Sequence, residues 1–111
     1  MNQQLRTTLL LPLLAAATFT ASAHAADADG EAIVKKARCV ACHAVDAKRV
    51  GPAYKEVAAK YKGDAKAHDM LVQKVRKGGA GNWGPVPMPP NGPDKISDDE
   101  LNNVISWVMA Q

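Results

Sequence analysis

Cysteine is scarce in this 111-residue chain: there are two, and both lie in one five-residue stretch. A structural zinc site usually takes four well-separated ligands, and a thioredoxin-like dithiol takes a βαβ setting, so neither is available here. Strand patterning is missing as well. No run alternates apolar and polar residues, and there are no internal repeats or low-complexity tracts beyond the amino-terminal segment, which leaves one all-α domain. Aromatic residues make up only 5% of the chain and are not interleaved with basic ones, so nucleic acid is not an expected partner.

Charge is absent between Arg6 and Asp27. Leu9 to Ala17 is almost wholly apolar, and Ala23-His24-Ala25 is a small-x-small cleavage signature, so the segment reads as an export signal. The competing reading is a retained membrane anchor. Against it, the apolar run is short, contains Pro12, and is followed by Thr18, Thr20, Ser22 and His24. The expectation is a cleaved signal over residues 1–25 and a mature domain over 26–111, of 86 residues, with no stable membrane insertion afterwards. A domain of that size buries a modest core and tends to need a staple such as a disulfide, metal or cofactor.

What is present is Cys39-Val40-Ala41-Cys42-His43. Two thiols three residues apart, followed at once by an imidazole, form the attachment pattern of c-type haem. Residues i and i+3 on a helical turn project from one face, so both sulfurs reach the vinyl groups on one porphyrin edge, and His43 is placed as proximal iron ligand. A short-loop disulfide is the remaining alternative, and it leaves the histidine without a role. One covalently held haem c would be the staple, so the apo-chain is expected to fold poorly.

Apolar periodicity predicts four short helices. The first carries Ile33, Val34 and Ala37 after Asp29 as N-cap, and the second has Pro52 in its first turn, a stripe of Tyr54, Val57, Ala58 and Tyr61, and Gly63 as a stop. The third aligns Ala67, Leu71 and Val75 and ends at Gly78-Gly79. The last opens on the capping box Ser97-Asp98-Asp99-Glu100 and aligns Leu101, Val104, Ile105 and Val108.

Between the last two helices, Gly81-Asn82-Trp83-Gly84-Pro85-Val86-Pro87-Met88-Pro89-Pro90-Asn91, with four prolines in six residues, predicts a stiff extended strap without ladder hydrogen bonds. Candidates for a second axial ligand are Met88, Met70, Met109 and His68. Met70 and Met109 read as packing residues, whereas Met88 sits where the backbone is rigid. His68 borders the buried stripe of its helix and is the runner-up to Met88. Charge is uneven: Glu31 to Lys77 holds twelve Lys or Arg against five acids, which predicts a basic face or simply solvated helices.

Taken together, CVACHA, VGPAYKEVAAKY, WGPVPMPPN, SDDE and the Trp-containing last helix resemble the small bacterial class I cytochromes of the cytochrome c-551 type. The resemblance spans about Glu31 to Met109. It implies a small cytochrome c fold with one haem, thioethers on Cys39 and Cys42, and His43 and Met88 as axial ligands. It further implies Pro52 supporting the histidine, Trp83 reaching a haem propionate and Asn91 near the methionine sulfur. Three departures stand out: Lys74 where the family commonly has an arginine, Val34 where it often has an aromatic, and a longer connection over residues 92–96.

Iron with six ligands has no vacant position for substrate, so the expectation is a monomeric, periplasmic single-electron carrier and not an enzyme. The resemblance implies redox-protein partners: a cytochrome complex as donor, and a nitrite reductase or cytochrome oxidase as acceptor. The alternatives are a haem subunit of a larger respiratory complex and, further off, a ligand-binding haem sensor or enzyme.

Overall fold

The computed structural model describes the backbone of residues 23–111 and side chains from Asp29 onward. The expected signal segment therefore lies outside the described residues except for its last three. Helix α1 spans Ala23–Lys36 and runs into a 3-10 turn at Cys39–Ala41; α2 spans Tyr54–Lys60, α3 Ala67–Lys77 and α4 Asp98–Met109. Strands β1 (Gly79–Gly81) and β2 (Gly84–Met88) separate α3 from α4. Among the described residues no helix is long and apolar enough to cross a membrane.

Helix α4 is the centre of the fold. Its stripe of Leu101, Val104, Ile105 and Val108 is buried as the periodicity predicts, with Trp107 added, and it packs against α1, α2 and α3. Its start is closed by the expected reciprocal cap. The Glu100 amide donates to Ser97 Oγ at 3.2 Å, and the Ser97 amide donates to the Glu100 carboxylate at 3.0 Å. Lys36, at the end of α1, donates to that same carboxylate at 2.6 Å and holds its pKa below the usual range.

Three expectations need correction, the first being that Pro52 is not in the first turn of α2, because Ala53 is the N-cap and the helix begins at Tyr54. Asp29 is not an N-cap, because α1 continues back to Ala23 through an alanine-rich stretch with nothing in it to stop a helix. The proline strap is also not free of ladder pairing, since β2 runs antiparallel to β1, with Gly79 opposite Met88 and Gly81 opposite Gly84. The reason is the alternation of Pro85 and Pro87 with Gly84, Val86 and Met88. Period two sends both missing donors to one edge and leaves the other edge able to pair. The hairpin is small, and the all-α expectation stands for the rest.

The long connection over residues 92–96 is tied down by Arg76 of α3. Its guanidinium donates to the Asn91 and Ile96 carbonyls at 3.1 and 2.7 Å and pairs with Asp98 at 2.5 Å. Ile96 is thereby kept in the core, 2% exposed.

One backbone position is costly. Arg38, between α1 and the 3-10 turn, has φ of 64°, the left-handed conformation that L side chains resist. Its side chain is exposed, so nothing in the packing is lost with it. Arg38→Gly is expected to raise the unfolding free energy by about 0.5–1 kcal/mol, the steric relief outweighing the added chain entropy. Urea denaturation of the two proteins at equal slope measures it, and an unchanged or lower midpoint would refute it.

Candidate functional site

The 3-10 turn sets the two thiols. Residues at i and i+3 eclipse one another in this geometry, so Cys39 and Cys42 lie on the same side. Both Cys42 and His43 amides donate to the Cys39 carbonyl, at 3.1 and 3.0 Å. The following loop folds back onto the motif, with the Gly51 amide donating to the Cys42 carbonyl at 2.9 Å and the Tyr54 amide to the Ala44 carbonyl at 2.9 Å. Both cysteines are free and half-buried, and burial pushes the Cys39 thiol pKa up.

That fold-back places Pro52 against the histidine. His43 Nδ1 lies 2.8 Å from the Pro52 carbonyl oxygen. A carbonyl only accepts, so Nδ1 carries a proton, and in the neutral ring the lone pair is then on Nε2. An imidazole held through one nitrogen with the other unprotonated is the arrangement of a metal-ligating histidine. The ring also stacks on Tyr54, at 5.4 Å between centroids and 19° between planes, and Tyr54 meets Trp107 edge-on at 5.3 Å.

Cys39, Cys42, His43 and Met88 all line one cleft of about 1120 Å³, a figure that includes solvent at its mouth. The walls are chiefly apolar, formed by Val57 of α2, Leu71 and Val75 of α3, and Leu101, Val104, Ile105 and Val108 of α4. Val50 and Val86, 57% and 60% exposed, belong to the same cleft and mark its mouth. The Tyr54 side chain is part of the wall, and its buried hydroxyl has no hydrogen-bond partner among the described residues. Burial raises the pKa of that phenol. A large apolar cleft that brings two thiols, a lone-pair imidazole and a thioether together fits a flat porphyrin with an iron centre.

Met88 reaches the cleft through the hairpin. Gly78 ends α3 with φ of 67°, and a Cβ on it would run into the backbone of Met88, Pro89 and Pro90. Only glycine permits the strap to come this close. The other candidates are elsewhere. His68 sits with Nε2 at 3.2 Å from both the Asn102 carbonyl and Ser106 Oγ, bridging α3 to α4. Met70 is exposed on α3, and Met109 packs against the core, so neither they nor His68 line the cleft.

Trp83 lines the cleft at the turn between the strands and is 37% exposed, with the Lys60 ammonium 4.6 Å from its ring centroid. Asn91 is 5% exposed, and its amide donates to the carbonyls of Pro89 and Val75 at 3.0 and 3.4 Å. Its hydrogens are thus engaged on backbone, where they brace the end of the strap. Lys74 also lines the cleft.

Gly51 was not singled out by its sequence context. A Cβ there would overlap the His43 ring, so the loop approaches the imidazole as closely as a glycine allows. Gly51→Ala is expected to push the ring off its Pro52 bond and to lower the unfolding free energy of the haem-loaded protein by about 1–3 kcal/mol. Denaturant unfolding followed by haem absorbance measures this; unaltered stability with an unaltered spectrum would refute it.

The chain is similar to known proteins in sequence and in fold. The sequence profile described as Cytochrome c matches residues 28–111. Cytochrome c-551 of Pseudomonas aeruginosa is 50% identical over 102 residues, covering 92% of this chain and 94% of that protein. Cytochrome c-551 of Stutzerimonas stutzeri is 44% identical over 102 residues, covering 92% and 95%. The crystal structure of wild-type Nitrosomonas europaea cytochrome c552 superposes with a TM-score of 0.67 at 40% identity, covering 71% of this chain and 95% of that one.

Proposed function

The chain belongs to the cytochrome c family, as a class I c-type cytochrome that binds one haem c covalently, and from that premise we propose that it is a periplasmic single-electron carrier with His43 and Met88 as axial ligands. Cys39 and Cys42 would form the thioethers, in keeping with their common turn. When bound, haem c supplies a one-electron iron couple. The observation that carries the reading is the His43 Nδ1 bond to the Pro52 carbonyl at 2.8 Å, which leaves Nε2 free in the cleft that Met88 also lines.

The chain's own residues do three things in this reading. Pro52 fixes the tautomer and orientation of His43, and Gly78 with Asn91 holds the strap that presents Met88. The apolar walls would keep water from the bound haem. Trp83 would donate its indole N–H to a propionate, and Lys74 would add charge beside it. Held by both His43 and Met88, the iron would have no open position for substrate, and the protein would exchange electrons without bond chemistry.

Val50 and Val86 at the mouth would form the apolar centre of a small contact with redox proteins, and the Lys and Arg excess between Lys35 and Lys77 would steer the encounter. A cytochrome complex as donor and a nitrite reductase or terminal oxidase as acceptor suit such a carrier. Export would remove residues 1–25 and leave the domain over 26–111.

Carbon monoxide separates this reading from a ligand-binding haem protein. The reduced native protein at neutral pH is expected to show no spectral change under carbon monoxide, because a soft thioether holds Fe(II) well. A carbon monoxide complex forming readily would mean that the sixth position is open, and the electron-carrier reading would give way to a sensor or enzyme.

A further inference from the structure

Beside the haem cleft lies a smaller groove of about 540 Å³, lined by residues of α3 and by the turn between β1 and β2. Tyr61, Met70 and Trp83 line it, and Met70 and Trp83 are among the few large apolar side chains left exposed in the described fold, at 39% and 37%. The core does not require this. Helix α3 turns Ala67 and Leu71 inward, while Met70, Gln73, Lys74 and Lys77 share another face at spacings of three, four and seven. Single exposed apolar residues are ordinary, whereas these two share one concave surface and together form a small apolar patch.

Charge in the groove has one sign. Lys74 and Lys77 line it, and Lys60 at the end of α2 sets its ammonium over Trp83 at 4.6 Å while donating to the Asn82 carbonyl at 3.2 Å. Among the described residues these three lysines have no carboxylate in ion-pair contact, whereas Lys35, Lys36, Lys55 and Arg76 each have one. No acidic residue lines the groove. Lys60 also holds Trp83 in position before anything binds. A preformed apolar surface among unpaired cations is complementary to an acidic segment that carries an apolar side chain.

We propose that this groove is a protein docking surface, separate from the Val50 and Val86 mouth, that takes an acidic segment of a partner protein. One apolar side chain of that segment rests on Met70 and Trp83, and its carboxylates pair with Lys74 and Lys77. Trp83 and Lys74 line both the groove and the haem cleft, so a partner seated here is in contact with the wall of the redox site without covering its mouth. Two partners, one delivering and one accepting an electron, then need not compete for one surface. The proposal rests on the electron-carrier reading for the kind of partner, but not for the binding itself.

The test uses the reduced holoprotein, labelled with nitrogen-15 and titrated at low salt with two pentapeptides. One has phenylalanine between two pairs of aspartates, and the other has serine in its place. Amide shifts are expected at Tyr61, Met70 and Lys77 and at the Trp83 indole N–H. The serine peptide is expected to bind at least about threefold more weakly, and the variant K77E, at a lysine that lines the groove and not the haem cleft, also about threefold more weakly with its visible spectrum unchanged. Shifts centred on Val50 and Val86, shifts spread over all lysines without dependence on phenylalanine, or no shifts at millimolar peptide would each overturn the proposal. A protein that binds carbon monoxide would sink the electron-carrier reading and leave the titration result standing.

Discussion

Met88→Ala is expected to abolish the sulfur-to-iron charge-transfer band of the ferric protein, to open the reduced protein to carbon monoxide, and to lower the reduction potential by more than about 59 mV, a factor of ten for a one-electron couple. A thioether favours Fe(II), so its loss shifts the balance toward Fe(III). The effect is local because the strap is held by features other than the side chain. Gly79 still pairs opposite position 88, Asn91 still donates to Pro89, and Gly78 still receives the strap backbone. Met70→Ala and Met109→Ala are the controls, since neither residue lines the cleft, and both are expected to leave band and potential in place. Visible spectroscopy with a redox titration decides it. Should Met88→Ala keep the band, another residue is the sixth ligand.

Replacing both Cys39 and Cys42 with serine is expected to have the largest effect on folding. Eight of the eleven residues in the buried apolar cluster also line the cleft, among them Leu71, Ile96, Leu101 and Val108. The core is thus a shell around the site, and without a retained occupant its inner surface faces water. The loss is expected to be about 5 kcal/mol or more, comparable with the whole net stability of a small domain. A haem-stained denaturing gel should be blank for the double variant, and thermal unfolding by circular dichroism should lose its cooperative transition near neutral pH. A stable, cooperative fold without covalent haem would show that the helices close on themselves unaided.

Much of this site is legible from local patterns. The Cys39 to His43 spacing is covalent chemistry written in five residues, and the Ser97 to Glu100 box needs only its own turn. The stripe of α4 reads directly because one face meets the core over three turns. Other features depend on parts of the chain brought together by folding. Arg76 is one more basic residue in a basic helix until the connection over residues 92–96 lies across it. Gly51 matters only once its loop has closed on His43, and Gly78 reads as a helix stop while also being the seat of the strap. The hairpin was hidden because prolines argue against a strand, and only their alternation leaves one edge free to pair. Asn91 shows the same limit: its polarity marks it as special, but its partners are carbonyls from two separate elements.

The proposed bond between Met88 sulfur and the haem iron is tested most directly by the proton spectrum of the reduced holoprotein. A methyl group bound above the porphyrin face lies in its ring current. The account predicts one methionine methyl resonance shifted far upfield of the others, assigned to Met88 and absent in Met88→Ala. If all methionine methyls appear at ordinary positions, or if the upfield resonance belongs to Met70 or Met109, the account is contradicted.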